Sequence, residues 1–202
     1  NLIKQRNNKT LYALKINNDP EDTSGAKLLE SAAKLASATD NKLIQIMKCD
    51  WNISNCIIDT VQANKITDLI VGIHHKANIV DTFLGGTITA LINGTSHQNL
   101  IIYGPKRPIN SVKRLVVTVP QMAELEIGFD LWFDRVKNIA SQLSIPIVFY
   151  ANKTTTEALK KQCEIHSSLN VSFRELASWE DFLIISKDIK HSDTLIVLTA
   201  RK

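Results

Sequence analysis

The residues whose types and spacing most suggest chemistry lie between Gly72 and Thr87. A short apolar strand candidate runs into Gly72, and after a loop the segment Gly85-Gly86-Thr87 begins a predicted helix. Glycines let a ligand approach the backbone closely, and the N–H groups and dipole at a helix start attract anions. The pattern therefore favours an anion-binding loop. A glycine at a strand end is also common in α/β proteins that bind nothing there, so the pattern alone leaves both interpretations open.

Two adjacent histidines, His74 and His75, lie in the same loop. Adjacent residues of an extended chain point to opposite sides, so they are poor co-ligands for one metal ion. No third ligand is near, and the other three histidines fall at the ends of predicted elements. The chain also has no Gly-x-Ser-x-Gly elbow, His-Glu-x-x-His helix or P-loop. We therefore expect neither a metal site nor an enzyme.

Short apolar runs alternate with helical patterns along most of the chain. Continuously apolar strands are typical of a parallel sheet covered on both faces, and intervening helices make right-handed crossovers. The sequence therefore predicts an α/β fold of two tandem Rossmann-like units, with mostly parallel sheets and helices on both faces. The eight strand candidates are Leu11–Ile16, Lys42–Met47, Leu69–Ile73, Leu100–Tyr103, Leu115–Val119, Ile145–Tyr150, Val171–Leu176 and Leu195–Thr199.

Four helical segments are marked by apolar residues that recur every three or four positions. The longest predicted helix covers Ala123–Leu143, and a second covers Trp179–Ile189 with Ser178 as its N-cap. Apolar stripes also mark Leu28–Ala36 and Ile57–Val61. We interpret the aromatic residues of these stripes as core residues.

The chain divides near its middle, at the Pro- and Gly-containing stretch Gly104–Pro108. Ile66–Val71 in the first half resembles Ser192–Val197 in the second, which indicates two diverged copies of one α/β unit. The first copy is expected to lack its opening strand, and the second its closing helix and strand, as in a piece of a longer protein. The predicted domains are residues 1–104 and 113–202, joined by a linker at 105–112.

The composition is that of an ordinary globular protein, with 44% hydrophobic and 22% charged residues. A net charge of +4 is too small for a nucleic-acid footprint. Three cysteines without C-x-x-C spacing fit free thiols in a reducing compartment. No apolar run approaches the ~18 residues that span a bilayer, so we expect no membrane span. The basic cluster is interpreted as a solvated linker or a contact for a phosphate or acidic partner, and comprises Lys106, Arg107, Lys113 and Arg114.

The segment from Gly72 to Thr87 resembles the signature of the universal stress protein family. That signature is a Gly, two residues, a second Gly, nine residues, and then Gly followed by Ser or Thr. Gly72 matches the first Gly and Gly85 the third, whereas Gly86 stands at the hydroxyl position with Thr87 one step later. The second Gly is His75 here.

In the resembled family this segment closes an ATP site, and an Asp ends the first strand near the adenine. The resemblance therefore implies a degenerate nucleotide site at Gly72, His75, Gly85, Gly86 and Thr87. The second half has Pro120 where the Asp belongs. We therefore expect no bound cofactor, with ATP or a related adenine nucleotide as the disfavoured alternative.

The chain as a whole most resembles the tandem universal-stress-protein region that follows the membrane part of bacterial sodium/proton antiporters. That resemblance implies a non-catalytic regulatory and dimerisation domain on the cytoplasmic side of the bacterial inner membrane. Its partners would be the transport domain of the same polypeptide and a second copy. The alternative is an ATP-binding sensor domain. The residues that carry the resemblance are Leu11–Leu14, Gly72–Asn78, Phe149–Ala151, Phe173–Leu176 and Trp179–Leu183.

Overall fold

The computed structural model describes residues 10–19, 21, 24–72, 80–104, 106–164 and 170–199, with side chains in the third helix described from Gly85 onward. The chain forms two compact units. Unit 1 comprises Ile3–Gly104 and unit 2 comprises Pro105–Lys202.

Unit 1 alternates four strands with three helices. Its α2 and α3 approach so closely that a Cβ atom on Gly94 would lie 2.3 Å from Cδ1 of Ile58, which explains a glycine at that contact. The elements in chain order are β1 (Leu11–Asn17), α1 (Ser24–Ser37), β2 (Leu43–Cys49), α2 (Ile53–Ala63), β3 (Asp68–Gly72), α3 (Val80–Gly94) and β4 (Asn99–Tyr103).

Unit 2 repeats this alternation, beginning with a strand. Short 3₁₀ turns at Ile109–Ser111, Ala123–Leu125 and Trp179–Asp181 connect its elements. The strands and helices are β5 (Arg114–Thr118), α4 (Phe129–Leu143), β6 (Ile147–Ala151), α5 (Lys153–Glu164), β7 (Val171–Glu175), α6 (Phe182–Ile185) and β8 (Asp193–Val197).

All strand pairs among the described residues are parallel. Unit 2 has one four-stranded sheet in the order β7-β6-β5-β8, whereas unit 1 has two separate pairs, β1-β2 and β3-β4. The register pairs Val116 with Val148 on one side of β5 and with Leu195 on the other. Unit 2 therefore has a central strand with both edges hydrogen-bonded, and the described part of unit 1 has none.

The core of unit 2 has two faces because successive side chains of a strand point to opposite sides. Leu115, Val117 and Phe149 lie in one buried cluster with residues of α4 and α5. Val116, Val148 and Tyr150 lie in a second buried cluster with Ile185 of α6. Helices therefore cover both faces of this sheet. An edge-to-face and stacked set of rings fills the first cluster: Phe129, Trp132, Phe133, Phe149 and Phe173.

The predicted α/β class with mostly parallel sheets is confirmed, and each of the eight predicted strands is present. Two of the predicted helices differ from those in the structure. Instead of one helix over Ala123–Leu143, a 3₁₀ turn over Ala123–Leu125 precedes α4, because the backbone of Glu126 is extended, with φ −78° and ψ 137°, and α4 begins only at Phe129. The helix predicted over Trp179–Ile189 is a 3₁₀ turn followed by the four-residue α6.

Ser178 does cap the Trp179 turn, with its hydroxyl accepting from the Glu180 N–H at 3.2 Å. The basic cluster is also only partly a solvated linker. Arg114 is largely buried and pairs with Asp193. Among the described residues, no helix is both long and apolar enough to cross a membrane.

The ring stack predicts where unit 2 is most sensitive to mutation. Phe149 is fully buried and stacks on Phe133 and Phe173, with ring centroids 6.1 Å and 5.9 Å away. Phe149→Ala should lower the free energy of unfolding by about 3–5 kcal/mol because it leaves a cavity. The control Ile70→Ala, at a side chain that is 53% exposed, should cost about 0.5 kcal/mol. Urea unfolding followed by circular dichroism measures both, and equal losses would contradict this account of the core.

Candidate functional site

The predicted anion loop begins where the sequence places it, at the end of β3. Gly72 is the last residue of that strand and is exposed, and a Cβ atom built on it would meet nothing within 4 Å. Within the described part of the chain, no side chain fills the space beside this glycine. His75 lies outside the described residues, so its predicted part in the site stays a prediction.

The segment Gly85-Gly86-Thr87, which was expected to begin a helix, lies inside one. The helix α3 begins at Val80, so Gly85, Gly86 and Thr87 lie within it and do not open it. Only about the first four N–H groups of a helix lack a partner in the helix, and Gly85 is its sixth residue. Gly85 and Gly86 are exposed and Thr87 is half-buried. The expected cradle of free N–H groups at Gly85-Gly86-Thr87 is therefore wrong, because the helix starts earlier.

In unit 2 the chain supplies its own anion at a helix start. Asn152 precedes α5, and its side-chain Oδ1 accepts from the Thr155 N–H at 2.8 Å. The buried Thr155 hydroxyl donates to Oε2 of Glu124 at 2.6 Å. A carboxylate from the loop after β5 thus occupies the first turn of α5, where the helix dipole favours negative charge. This arrangement stabilises the helix and would repel a phosphate at the same turn.

A second polar cluster joins β6, β7 and the segment after α6. The Tyr150 hydroxyl donates to Oδ2 of Asp188 at 2.7 Å, and Nη1 of Arg174 donates to the same carboxylate oxygen. Arg174 also reaches the Tyr150 oxygen at 3.1 Å. The Tyr150 ring is buried, whereas Arg174 and Asp188 are about half exposed. Tyr150, Arg174 and Asp188 thus form a clamp that ties the segment after α6 to the sheet.

The pKa values of Asp188 and Tyr150 shift in opposite directions: that of Asp188 is lowered and that of Tyr150 is raised. Hydrogen bonds from Tyr150 and then Arg174 lower the pKa of Asp188 below its ordinary value. Burial, and then the hydrogen bond to the Asp188 carboxylate, raise the pKa of Tyr150. Asp188 is therefore a carboxylate and Tyr150 a neutral phenol at neutral pH, which suits a structural clamp better than proton transfer.

Arg114 extends the clamp to β8. Its Nε donates to Oδ2 of Asp193 at 3.1 Å, and its Nη2 donates to the Asp188 carbonyl at 2.8 Å. The Lys190 N–H donates to the same Asp193 oxygen at 2.8 Å. Asp193 is almost fully buried but well supplied with donors. Of the basic cluster predicted from sequence, Arg114 is thus a structural residue.

A shallow groove of about 290 Å³ lies between the start of α5 and the edge strand β7. Its lining includes the basic residues Lys153, Lys160 and Arg174 and the acidic residues Glu157 and Glu175. The ammonium of Lys160 lies 5.8 Å from the centre of the Phe173 ring, in cation–π range. With charges of both signs and no convergent set, the groove has no evident catalytic arrangement. No three His, Cys, Asp or Glu side chains converge as metal ligands in the part of the chain that the structure describes.

Sequence reasoning missed the cluster of Tyr150, Arg174 and Asp188. The three residues are 24 and 38 positions from one another along the chain, counted from Tyr150. One feature of the sequence could have indicated this cluster. Tyr150 is the residue with a polar group in an otherwise apolar strand, and a buried phenol hydroxyl needs a hydrogen-bond partner. A pairing of neighbouring strands β6 and β7 would then have suggested Arg174, which lies opposite Tyr150 in register.

With this geometry in view, the fold can be compared with solved structures. It resembles the crystal structure of a protein from Pseudomonas aeruginosa UCBPP-PA14 described as a universal stress protein, with a TM-score of 0.61. The match covers 96% of this chain and 73% of that one, at 11% sequence identity. No family model and no curated protein matches the chain. Identity this low shows the fold alone, so the chain has a parallel α/β fold of universal-stress-protein type.

The clamp predicts a titration that can be measured at one residue. Tyr150→Phe removes the main donor to Asp188 and should raise the pKa of that carboxyl towards its ordinary value, seen by carboxyl-carbon NMR. Tyr103→Phe, in the other unit, should leave it unchanged. An unaltered Asp188 pKa in Tyr150→Phe would contradict the clamp.

The same shifts fix the sign of the pH dependence of stability. The lowered pKa of Asp188 gives stability that is present above the ordinary aspartate pKa and lost as pH falls through the folded value. The raised pKa of Tyr150 gives stability that is present below the ordinary tyrosine pKa and lost as pH rises through the folded value. Asp188→Asn should therefore flatten the acid side of the stability profile. Tyr150→Phe should flatten the alkaline side and weaken the acid side as well, because it removes the main donor to Asp188. Urea unfolding across pH measures both.

Proposed function

We propose that this chain is a non-catalytic regulatory and dimerisation domain of a bacterial cation/proton antiporter. The proposal places it on the cytoplasmic side of the inner membrane, acting on the transport domain of the same polypeptide. The sequence resemblance to antiporter tails motivates the transport context. The observation that carries the dimerisation role is the outer edge of β4, which pairs with none of the described strands.

The edge of β4 is suited to pairing with a second copy. Among the described strands β4 pairs only with β3, and the Asn99 N–H donates to the Thr67 carbonyl of that neighbouring segment at 2.9 Å. Backbone groups alternate sides along a strand, so those of Leu100 and Ile102 point outward. The Ile102 side chain is 42% exposed. Two copies can therefore pair β4 with β4 around a two-fold axis, with each edge contacting its equivalent.

Such a dimer can regulate transport only through a difference in free energy between two arrangements. A signal that binds the paired and unpaired states equally shifts nothing, whereas a signal that prefers one arrangement moves the population of both transport cores. The role of this chain is to supply the self-association that couples the two transport cores. The signal itself would act at whichever surface changes on pairing.

The dimerisation proposal predicts a mutation that makes the fragment monomeric. Ile102→Lys puts a charge on the edge strand, a substitution that blocks edge-to-edge pairing, and should raise the dimer dissociation constant at least about tenfold. The control Leu35→Lys changes an apolar side chain that is 73% exposed on α1 and should leave it unchanged. Sedimentation equilibrium measures both. A strictly monomeric wild-type chain at high concentration would overturn the proposal.

The regulatory role is tested in the whole transporter. Deleting residues 1–202 from the full-length antiporter should alter its ion response and its assembly, because the self-associating domain is then missing. Unchanged transport and unchanged assembly after the deletion would contradict regulation even if the isolated fragment dimerises.

The second candidate is an adenine-nucleotide sensor, favoured by the open glycine at the end of β3 in a fold of this type. Three features weigh against it: His75 and Pro120 at the positions named above, and the loss of free N–H groups at Gly85 and Gly86. We expect calorimetry of the chain with ATP to show no dissociation constant in the low micromolar range. His75→Gly should strengthen any binding that is seen. Tight binding by the wild-type chain would favour the sensor.

A further inference from the structure

The outer edge of β7 carries a row of backbone groups that pairs with none of the described strands. In the four-stranded sheet β7 bonds only to β6. The Ile147 N–H of β6 donates to the Asn170 carbonyl at 2.9 Å, and the Leu176 N–H donates to the Ala151 carbonyl of β6 at 3.0 Å. Because backbone groups alternate sides along a strand, residues in step with Asn170 and Leu176 face β6 and those between them face away.

Val171, Phe173 and Glu175 therefore turn their N–H and C=O groups away from the sheet. This edge is at the opposite side of the sheet from β8. Residues 165–170, which connect α5 to β7, are as many as a helix-to-strand connection ordinarily needs. The chain after β7 packs Ile185 in the cluster on the face opposite α5 and so covers a face of the sheet. The described chain thus leaves the outer edge of β7 unpaired.

The shallow groove of about 290 Å³ lies beside this edge. The half-buried Phe173 lines it from β7, and Lys153, Glu157 and Lys160 line it from α5. The three α5 residues are four and three positions apart, so they lie on one face of the helix. A strand added at the usual spacing of about 4.8 Å from β7 would place alternate side chains in this groove. The groove can therefore select the side chains of a segment whose backbone pairs with β7.

At one end of the groove the charges of the lining residues offset each other. α5 begins at Lys153, two residues after Ala151, and Ala151 pairs in register with Glu175 at the end of β7. Lys153 and Glu175 therefore line the same end of the groove with opposite charges. Arg174 also lines the groove but is already paired with Asp188. The charges left to select a ligand are those further along α5.

Lys160 and Glu157 supply those charges. The Lys160 ammonium lies 5.8 Å from the centre of the Phe173 ring, beside the middle of β7. Glu157 is closer to the start of α5 and so closer to the end of β7. Among the described residues neither side chain has an ion-pair partner. The two are about 4.5 Å apart along the helix axis, comparable to the ~6.8 Å between side chains on one face of a strand. An acidic and a basic side chain two residues apart on an added strand can therefore meet both.

We propose that unit 2 binds an extended segment of a partner polypeptide antiparallel to β7, with a basic residue, any residue and then an acidic residue in its sequence. Antiparallel pairing is slightly more stable than parallel pairing, and it places the basic side chain by Glu157 and the acidic one by Lys160. This mode of recognition is β-strand addition, in which backbone hydrogen bonds supply affinity and side-chain contacts supply specificity. A second copy of β7 is a poor occupant, because a two-fold axis at Phe173 brings the two Lys160 side chains together.

The test uses the full chain and the fluorescein-labelled peptide Thr-Val-Lys-Val-Glu-Val-Thr, whose Lys and Glu lie on one face of a strand. Fluorescence anisotropy should rise to saturation as chain is added. In antiparallel pairing the N–H of the peptide Glu faces β7, and the N–H of the Val before it faces solvent. N-methylation of that Glu should therefore raise the dissociation constant at least about fivefold, and N-methylation of that Val less than about twofold. Equal effects, the reverse order of effects, or no saturable binding would overturn the proposal.

A charge reversal on α5 tests the part played by the groove. Lys160→Glu should raise the dissociation constant of this peptide at least about threefold, because attraction becomes repulsion. The control Lys161→Glu makes the same change at an exposed residue of α5 outside the groove and should alter it less than about twofold. A peptide with Lys in place of its Glu should do the converse and bind Lys160→Glu more tightly than the wild-type chain. An unchanged preference in Lys160→Glu, or an equal change in Lys161→Glu, would refute the proposal.

Backbone hydrogen exchange locates the bound peptide. Saturating peptide should slow exchange of the Phe173 amide at least about tenfold and leave the Leu176 amide, which is already bonded to β6, unchanged. An unprotected Phe173 amide in the bound chain would show that the peptide lies elsewhere and would contradict the proposal. Protection in the free chain that rises with chain concentration would show that a second copy takes this edge, which also overturns it. Ile102→Lys on β4 should leave peptide binding unchanged, so this proposal and the proposed dimer fail independently.

Discussion

A strand in a parallel sheet carries two rows of backbone N–H and C=O groups, and the pairing of both rows is the constraint on which this structure depends. In unit 2, β5 satisfies both rows through β6 and β8. That central position sends alternate side chains of β5 into two separate buried clusters, one with α4 and α5 and one with α6. The ring stack and the clamp at Asp188 involve β6 instead, through Phe149 and Tyr150, and β6 is likewise paired on both edges, by β5 and β7.

Unit 1 has the same kinds of element but not the same degree of burial. Its described strands form two pairs, each with a free edge, and its apolar strand residues are largely half-exposed. Exposed edges are a liability in a folded protein and also a means of recognition. The proposed dimer uses one of these edges, the outer edge of β4.

Strands were predictable because their signal is local. Continuous apolar runs such as Val116–Val119 need only be buried on both sides, and no partner has to be known. Helix ends were less predictable, since the apolar periodicity continues from Leu125 to Phe129, although the extended backbone of Glu126 interrupts the helix between them. The start of α3 at Val80 was missed for a related reason: the glycines at 85 and 86 suggested a helix beginning, although the helix continues through them.

Pairwise contacts across the sheet were not predictable from one sequence. The Tyr150 partner Asp188 and the Arg114 partner Asp193 come from segments distant in the chain, and no spacing rule connects them. The anion at the start of α5 was likewise hidden, because Glu124 and Thr155 are 31 positions apart in the chain and no local pattern connects them. Sequence patterns reveal which residues are buried, whereas the choice of partner depends on the order of strands in the sheet.

The measurement that tests the central claim most directly is backbone amide hydrogen exchange, residue by residue, on the full chain. The amides of β5 that bond to β6, at Leu115 and Val119, should exchange slowly, and so should the Leu198 amide. The Phe173 amide, on the edge of β7 that pairs with no described strand, should exchange much faster than the amides of Leu115 and Val119. Equal protection at Phe173 and Leu115 would show that strand pairing does not set the protection of these amides and would contradict the account.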